Sequence, residues 1–235
     1  MNDKNKTRIL IVEDEVAIRT GLIDVFVYHG YDVDFADHGD EALAKALTGD
    51  FDLILLDVML PGMNGFEICN RIREQSRDQA IIMLTAKSSD EDIIEGLTLG
   101  ADDYVSKPFS VAQLVLRVEA VLRRTTSPQS QSQKIKLGND VIIDCLNLSC
   151  EFSEETQSFT RREIEILNYL QANSLRPVSR DELLNKVWGY ANTADLETRT
   201  VDIHMAKLRR KIENDPSNPE YLITVRGAGY RLVVA

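Results

Sequence analysis

Asp57 closes the apolar run Leu53-Ile54-Leu55-Leu56 and opens at once into Val58-Met59-Leu60-Pro61-Gly62. Three more apolar runs end in residues with chemistry of their own: Ile9-Leu10-Ile11-Val12 in Glu13-Asp14, Ile81-Ile82-Met83-Leu84 in Thr85, and Tyr104-Val105-Ser106 in Lys107-Pro108. Magnesium takes hard oxygen ligands in near-octahedral geometry. The carboxylates of Glu13, Asp14 and Asp57, with the Met59 carbonyl as a further oxygen, are such a donor set. Three carboxylates in one cleft repel each other, so the cluster itself argues for a bound cation. With Mg2+ in place, Asp57 is a nucleophile toward a phosphoryl donor. Lys107 would then ion-pair with the phosphate, and the Thr85 hydroxyl would donate to one of its oxygens.

Those residues meet only if the strands carrying them are neighbours running the same way. Strand-like runs fall near 8–12, 31–36, 52–57, 80–84 and 103–106, alternating with helix-like runs near 15–28, 39–48, 64–74, 90–98 and 110–124. Repeated βα units with right-handed crossovers predict an α/β fold. The sheet is expected to be five-stranded, parallel, doubly wound and flavodoxin-like, with helices on both faces. Open sheets of this kind bind ligands outside the carboxyl ends of their strands, where Glu13, Asp14, Asp57, Thr85 and Lys107 all lie. This domain is expected over residues 1–125. The Ser/Gln-rich stretch 126–133 lacks an apolar anchor and reads as a flexible linker.

From 134 to 235 the pattern changes. Short alternating segments over 135–159 predict a small antiparallel sheet. Helices follow near 160–172, 179–187 and 195–213, the first two opened by Thr160 and Ser179 with an acid three residues on. The strands Tyr221–Val225 and Tyr230–Val234 around Gly227-Ala228-Gly229 predict a closing hairpin. Projected at about 100° per residue, Val201, Met205, Leu208 and Ile212 form a core stripe on the last helix. Arg199, Ile203, Ala206, Lys207 and Arg210 fall opposite. Such a face suits a DNA major groove, with basic groups on phosphates or guanine edges and apolar ones on thymine methyls. In the hairpin, Thr224 and Arg226 adjoin the turn, and an Arg on such a wing can enter the narrow minor groove. Two helices and a wing make a winged helix-turn-helix.

Composition agrees. The net charge of −11 is uneven: residues 1–126 hold 13 Lys/Arg against 23 Asp/Glu, and the remainder 14 against 15. The acids belong to the metal-binding half, and positive charge is local to one helix. No apolar run approaches the roughly 18 residues of a membrane span, and the polar start lacks the apolar core of a signal peptide. Cys69, Cys145 and Cys150 show no CxxC spacing and read as reduced, buried thiols of a cytoplasmic protein. Two other readings stay open on the residues alone. The polar residues could be ordinary strand ends, or the pocket could serve a magnesium-dependent phosphatase with an aspartyl intermediate. No lid segment favours the latter.

The acid pair, D-V-M-L-P-G-M-N-G, L-T-A and K-P-F make residues 7–124 resemble the receiver domain of bacterial response regulators. Residues 134–235 are similar to the effector domain of OmpR/PhoB-type transcription factors, through Val187-Trp188-Gly189, Arg199-Thr200-Val201-Asp202-Ile203-His204, Leu208-Arg209-Arg210-Lys211 and Thr224-Val225-Arg226-Gly227. The resemblance implies that a histidine kinase phosphorylates Asp57 and that Glu13 and Asp14 hold Mg2+. It also implies that Thr85, Ala86, Tyr104 and Lys107 form the phosphate site and switch. It adds Thr200, His204 and Arg209 to the DNA contacts and assigns the loop after Trp188 to RNA polymerase; the helical projection sets Arg209 to the side, toward a phosphate. Receivers of this type dimerise through the helix 90–98, strand 103–106, helix 110–124 face. Here Ile93 and Gln113 replace a frequent ion pair, while Asp103 and Arg117 remain available. The implied protein is a switchable transcription factor rather than an enzyme, catalysing only its own phosphoryl transfer and dephosphorylation. As a homodimer it would bind paired promoter half-sites. A phosphorylation-independent factor with a relict receiver is the rival.

Overall fold

Near-continuous apolar runs make strands buried on both faces, and the first half of the chain is built on them. In the computed structural model the strands β1 (Arg8–Val12), β2 (Asp32–Ala36), β3 (Leu53–Asp57), β4 (Ala80–Thr85) and β5 (Asp103–Ser106) alternate with helices α1 (Val16–Tyr28), α2 (Gly39–Ala46), α3 (Gly65–Gln75), α4 (Asp90–Leu99) and α5 (Val111–Thr125). The chain divides into two units, Met1–Thr126 and Ser127–Ala235. The structure describes residues 6–86, 90–125, 134–138, 141–152, 155–189 and 198–234, with 90–94, 123–125, 151–152, 155 and 198 described by backbone alone. The expected linker 126–133 lies outside the described residues.

The sheet runs β2-β1-β3-β4-β5, all parallel. Alternate residues of each strand face opposite sides. Ile9, Ile11, Leu53, Leu55, Ile82, Leu84 and Val105 pack with Leu22 and Phe26 of α1 and Leu114, Val118 and Leu122 of α5. The order reverses between β1 and β3, which places Glu13 and Asp57 at the point where such sheets open a crevice. Away from that crevice, Arg73 lies buried: it bonds the carbonyls of Gly100, Ser76 and Gln79 and pairs with Asp102 at 3.1 Å. This ties α3 to the end of α4.

The second unit opens with an antiparallel sheet of β6 (Lys134–Leu137), β7 (Val141–Asp144), β8 (Ser149–Phe152) and β9 (Glu155–Ser158). Helix α6 (Arg161–Ala172) follows, then α7 (Arg180–Leu183) running into a π-helical turn Leu184–Trp188, then α8 (Thr198–Ile212). Strands β10 (Leu222–Val225) and β11 (Gly229–Leu232) close the chain as a hairpin. The Thr160 hydroxyl accepts from Glu163 N–H while the Glu163 carboxylate accepts from Thr160 N–H, so the expected capping box forms. One core joins Ile135, Ile143, Phe159, Ile166, Leu183, Trp188, Val201, Leu208 and Leu232. The three cysteines are buried and none is in a disulfide. Among the described residues, no helix is long and apolar enough to cross a membrane.

Candidate functional site

Each strand delivers its polar residue to one edge. Glu13 follows β1 and is fully buried, Asp57 ends β3 almost as deeply, and Asp14 is exposed. One carboxylate oxygen from each lies within 4.8 Å of the others. Octahedral Mg2+ with bonds of about 2.1 Å sets neighbouring ligands about 3 Å apart and opposite ones about 4 Å apart; the carboxylates lie close to that spacing, and three hard oxygen donors suit the ion. Glu13, Asp14 and Asp57 would hold it. The Met59 N–H donates to Asp57 Oδ1 at 3.0 Å, which places the Met59 backbone beside the Asp57 carboxylate.

Lys107 supplies the positive charge. Its Nζ lies 2.9 and 2.7 Å from the two Glu13 oxygens and 2.6 Å from Asp57 Oδ2. Burial alone would lower the Lys107 pKa, but the bonds to Asp57 and Glu13 outweigh it and push the value up. Burial dominates at Glu13, whose pKa is raised to about 7; the Lys107 bond offsets part of this and the Asp57 charge adds to it. Thr85 is buried at the end of β4, and Ala86 is exposed beside it. Tyr104 is buried too, its ring against Gly96 of α4. Asn64 caps α3 by accepting from Glu67 N–H, and Gly65 lets that helix start against the site. A Cβ at Gly65 would come within 2.2 Å of the Asp57 carbonyl, so D-V-M-L-P-G-M-N-G encodes a close backbone approach.

On the α4–β5–α5 face, Gln113 is exposed. Asp103 and Arg117, expected to be available to a partner receiver, bond each other within the chain at 2.9 Å. Ile93 lies on α4, its side chain outside the description.

In the second unit the structure divides the candidate DNA contacts between exposed and buried positions. Arg199, Ala206 and Arg210 are exposed along α8 and Ile203 is half-buried. His204, by contrast, is 1 % exposed, edge-on to Trp188 with ring centroids 5.2 Å apart. Burial first, then the Lys207 charge, pushes its pKa down to about 3. Thr200 is buried as well. Lys207 sits 3.2 Å and Lys211 2.6 Å from the carboxylate of fully buried Glu163. Burial would raise the Glu163 pKa, but Lys207 and Lys211 outweigh it and hold the value at about 2. Thr200, His204 and Lys207 thus face inward, about 60–120° to one side of the core stripe at 100° per residue. A projection that follows only apolar residues misses a flank buried by charge. The one signal was Glu163 itself, which sequence reads as a cap and nothing more.

Arg209 is spent on the wing: it donates to the Leu222 carbonyl at 2.8 Å and to Thr224 Oγ1 at 2.7 Å. Tyr230 of β11 bonds Asp202 of α8, which also holds Arg180 of α7 at 2.6 Å. Val178 and Tyr230 exchange backbone bonds of 2.7 and 2.9 Å. Gly229, at φ 119°, is required there, since a Cβ would meet the Val178 carbonyl at 2.1 Å. Helix and wing are therefore one body, with Thr224 and Arg226 exposed on it. Of the loop after Trp188, expected to touch RNA polymerase through residues 189–192, positions 190–197 lie outside the described residues.

Comparison with known proteins agrees with both halves. Residues 9–119 match the response regulator receiver domain, and residues 154–232 match the C-terminal domain of transcriptional regulatory proteins. The alkaline phosphatase synthesis transcriptional regulatory protein PhoP of Bacillus subtilis is 43% identical over 232 residues, 96% of each chain. The sensory transduction protein RegX3 of Mycobacterium bovis is 40% identical over 227 residues, covering 96% of this chain and 99% of its own. A solved mutant of RitR superposes with a TM-score of 0.75 at 30% identity, covering 97% of this chain and all of that one. A five-stranded α/β receiver followed by a winged-helix effector, matched along almost its whole length by these regulators, places the chain in the OmpR/PhoB family of two-component response regulators.

Proposed function

We propose that this protein is a Mg2+-dependent phosphorylation switch on transcription, in which a histidine kinase donates a phosphoryl group to Asp57 and the phosphorylated receivers dimerise. The observation that carries this reading is the meeting of Glu13, Asp14, Asp57 and Lys107 at one sheet edge, beside buried Thr85. The metal, when bound, offsets the charge between carboxylate and incoming phosphoryl oxygens. Lys107, already on Asp57, ion-pairs with the transferred group, and the Thr85 hydroxyl donates to it. Tyr104 fills the space that Thr85 vacates as it moves, and this packing biases the α4–β5–α5 face toward a second receiver. Gln113, Ile93, Asp103 and Arg117 lie on that face, and Arg117 contributes by exchanging its own Asp103 for the partner's. Two effector domains joined in this way gain effective concentration at paired promoter half-sites. The loop after Trp188 then meets RNA polymerase, all in the cytoplasm.

Light scattering with Mg2+ and beryllofluoride, a stable mimic of aspartyl phosphate, tests the switch. A monomer becoming a dimer is expected; unchanged mass would overturn it. For the DNA half, Arg226→Ala and Arg210→Ala should each reduce the salt slope of duplex binding by about one. Lys207→Ala should leave that slope alone while lowering the midpoint of effector unfolding. If Lys207→Ala flattens the slope instead, its pairing with Glu163 is not kept on DNA.

A further inference from the structure

Arg19 lies on the first turns of α1, one layer behind the acid pair. Its Nη1 donates to the Glu13 carbonyl at 2.7 Å and to the Asp14 carbonyl at 3.0 Å. Nη2 lies 3.6 Å from Asp37 Oδ2, and the guanidinium stacks over the Phe35 ring at 5.2 Å. The side chain is only 11 % exposed. Asp37 and Phe35 thus hold the Arg19 side chain, and Arg19 in turn holds the β1–α1 loop through two carbonyls.

The two acids depend on it unequally. Glu13 has other anchors: its N–H donates to the Ala36 carbonyl at 3.1 Å, and its carboxylate is bound by Lys107. Asp14 is exposed, and among the described residues no hydrogen bond reaches its carboxylate. Its place in the donor set therefore rests on its backbone, which Arg19 grips.

Resting on the reading of this pocket as a Mg2+ site, we infer that Arg19 is a positioning residue that pre-sets the Glu13–Asp14 backbone for the metal without touching it. Groups that orient metal ligands from behind typically contribute about 10- to 100-fold in metal affinity. A guanidinium near a cation also repels it, which acts in the opposite sense. Asp37, paired with Arg19 and bonded to His38 at 2.7 Å, offsets that charge, so positioning dominates.

The sign of one change separates the possibilities. Mg2+ binding to the full-length protein is measured by calorimetry with no phosphoryl donor present. Arg19→Gln should raise the Mg2+ Kd roughly tenfold, with Arg19→Lys in between. In parallel, acyl-phosphate formation from a small phosphoryl donor should need more Mg2+ for half-saturation while its rate at saturating Mg2+ stays the same. A lower Kd in Arg19→Gln would mean that charge repulsion outweighs positioning, and an unchanged Kd that Arg19 only supports the fold. Either result overturns the inference. Should Arg19→Gln fail to fold, Arg19→Lys decides: a wild-type Kd with wild-type half-saturation overturns it. Wild-type protein that binds no Mg2+ would instead sink the pocket reading itself.

Discussion

Asp57→Asn is expected to abolish acyl-phosphate labelling and, with it, dimerisation in beryllofluoride, while the receiver stays folded. An amide oxygen is a weak nucleophile and carries no charge to bind the metal, so both parts of the chemistry are lost at once. The fold should tolerate the change. Lys107 keeps both oxygens of Glu13 at 2.9 and 2.7 Å, so it is not left as an unpaired buried cation. Glu13 sits at about 7 chiefly through burial, and losing the neighbouring Asp57 charge removes one of the causes that raise it. The variant should therefore be at least as stable as the wild type to urea. Labelling that persists at the wild-type level would show that another residue accepts the phosphoryl group.

The second large effect lies in the effector domain. Glu163→Gln should cost about 3–5 kcal/mol, because it leaves Lys207 and Lys211 partly buried without their carboxylate. Acid should weaken the same domain by related means. The unfolded chain protonates histidine near 6.5, whereas native His204 stays neutral down to about 3. Stability from His204 is therefore complete above pH 6.5 and falls as pH drops toward 3. Glu163 adds a second loss, from its ordinary 4.5 down to about 2. By pH 4.5 the His204 contribution alone is down by roughly 2–3 kcal/mol. Trp188, the only tryptophan, packs between Arg162 at 5.2 Å and His204, so its fluorescence reports this domain's unfolding. His204→Leu should flatten the dependence between pH 6.5 and 4.5; an unchanged slope would place the acid sensitivity elsewhere.

The receiver was easier to read in the sequence than the effector, for a physical reason. Strand ends are local: an apolar run followed by an acid, hydroxyl or lysine marks both the strand and the residue at its mouth. Glu13, Asp57, Thr85 and Lys107 stand where that pattern puts them. Arg19 and the Arg73–Asp102 pair carry no such mark, because a buried charge shows itself only through a partner distant in sequence. The same limit explains His204 and Lys207. Helical periodicity finds a stripe of Val201, Met205, Leu208 and Ile212 but not a flank that Glu163 buries. Asp103 and Arg117 show the same limit: nothing in the sequence marks the 2.9 Å pairing they make within the chain.

The inward flank of α8 also bears on how such a regulator can diversify. Foldedness draws on Thr200, His204, Lys207 and Lys211, whereas the outward strip holds Arg199, Ile203, Ala206 and Arg210. The two sets share a helix but lie on different faces of it. Duplicated copies of such a gene can therefore exchange the outward residues one at a time and drift to new operators, each intermediate remaining a foldable protein. Grafting only those four positions between paralogues should carry binding preference with it.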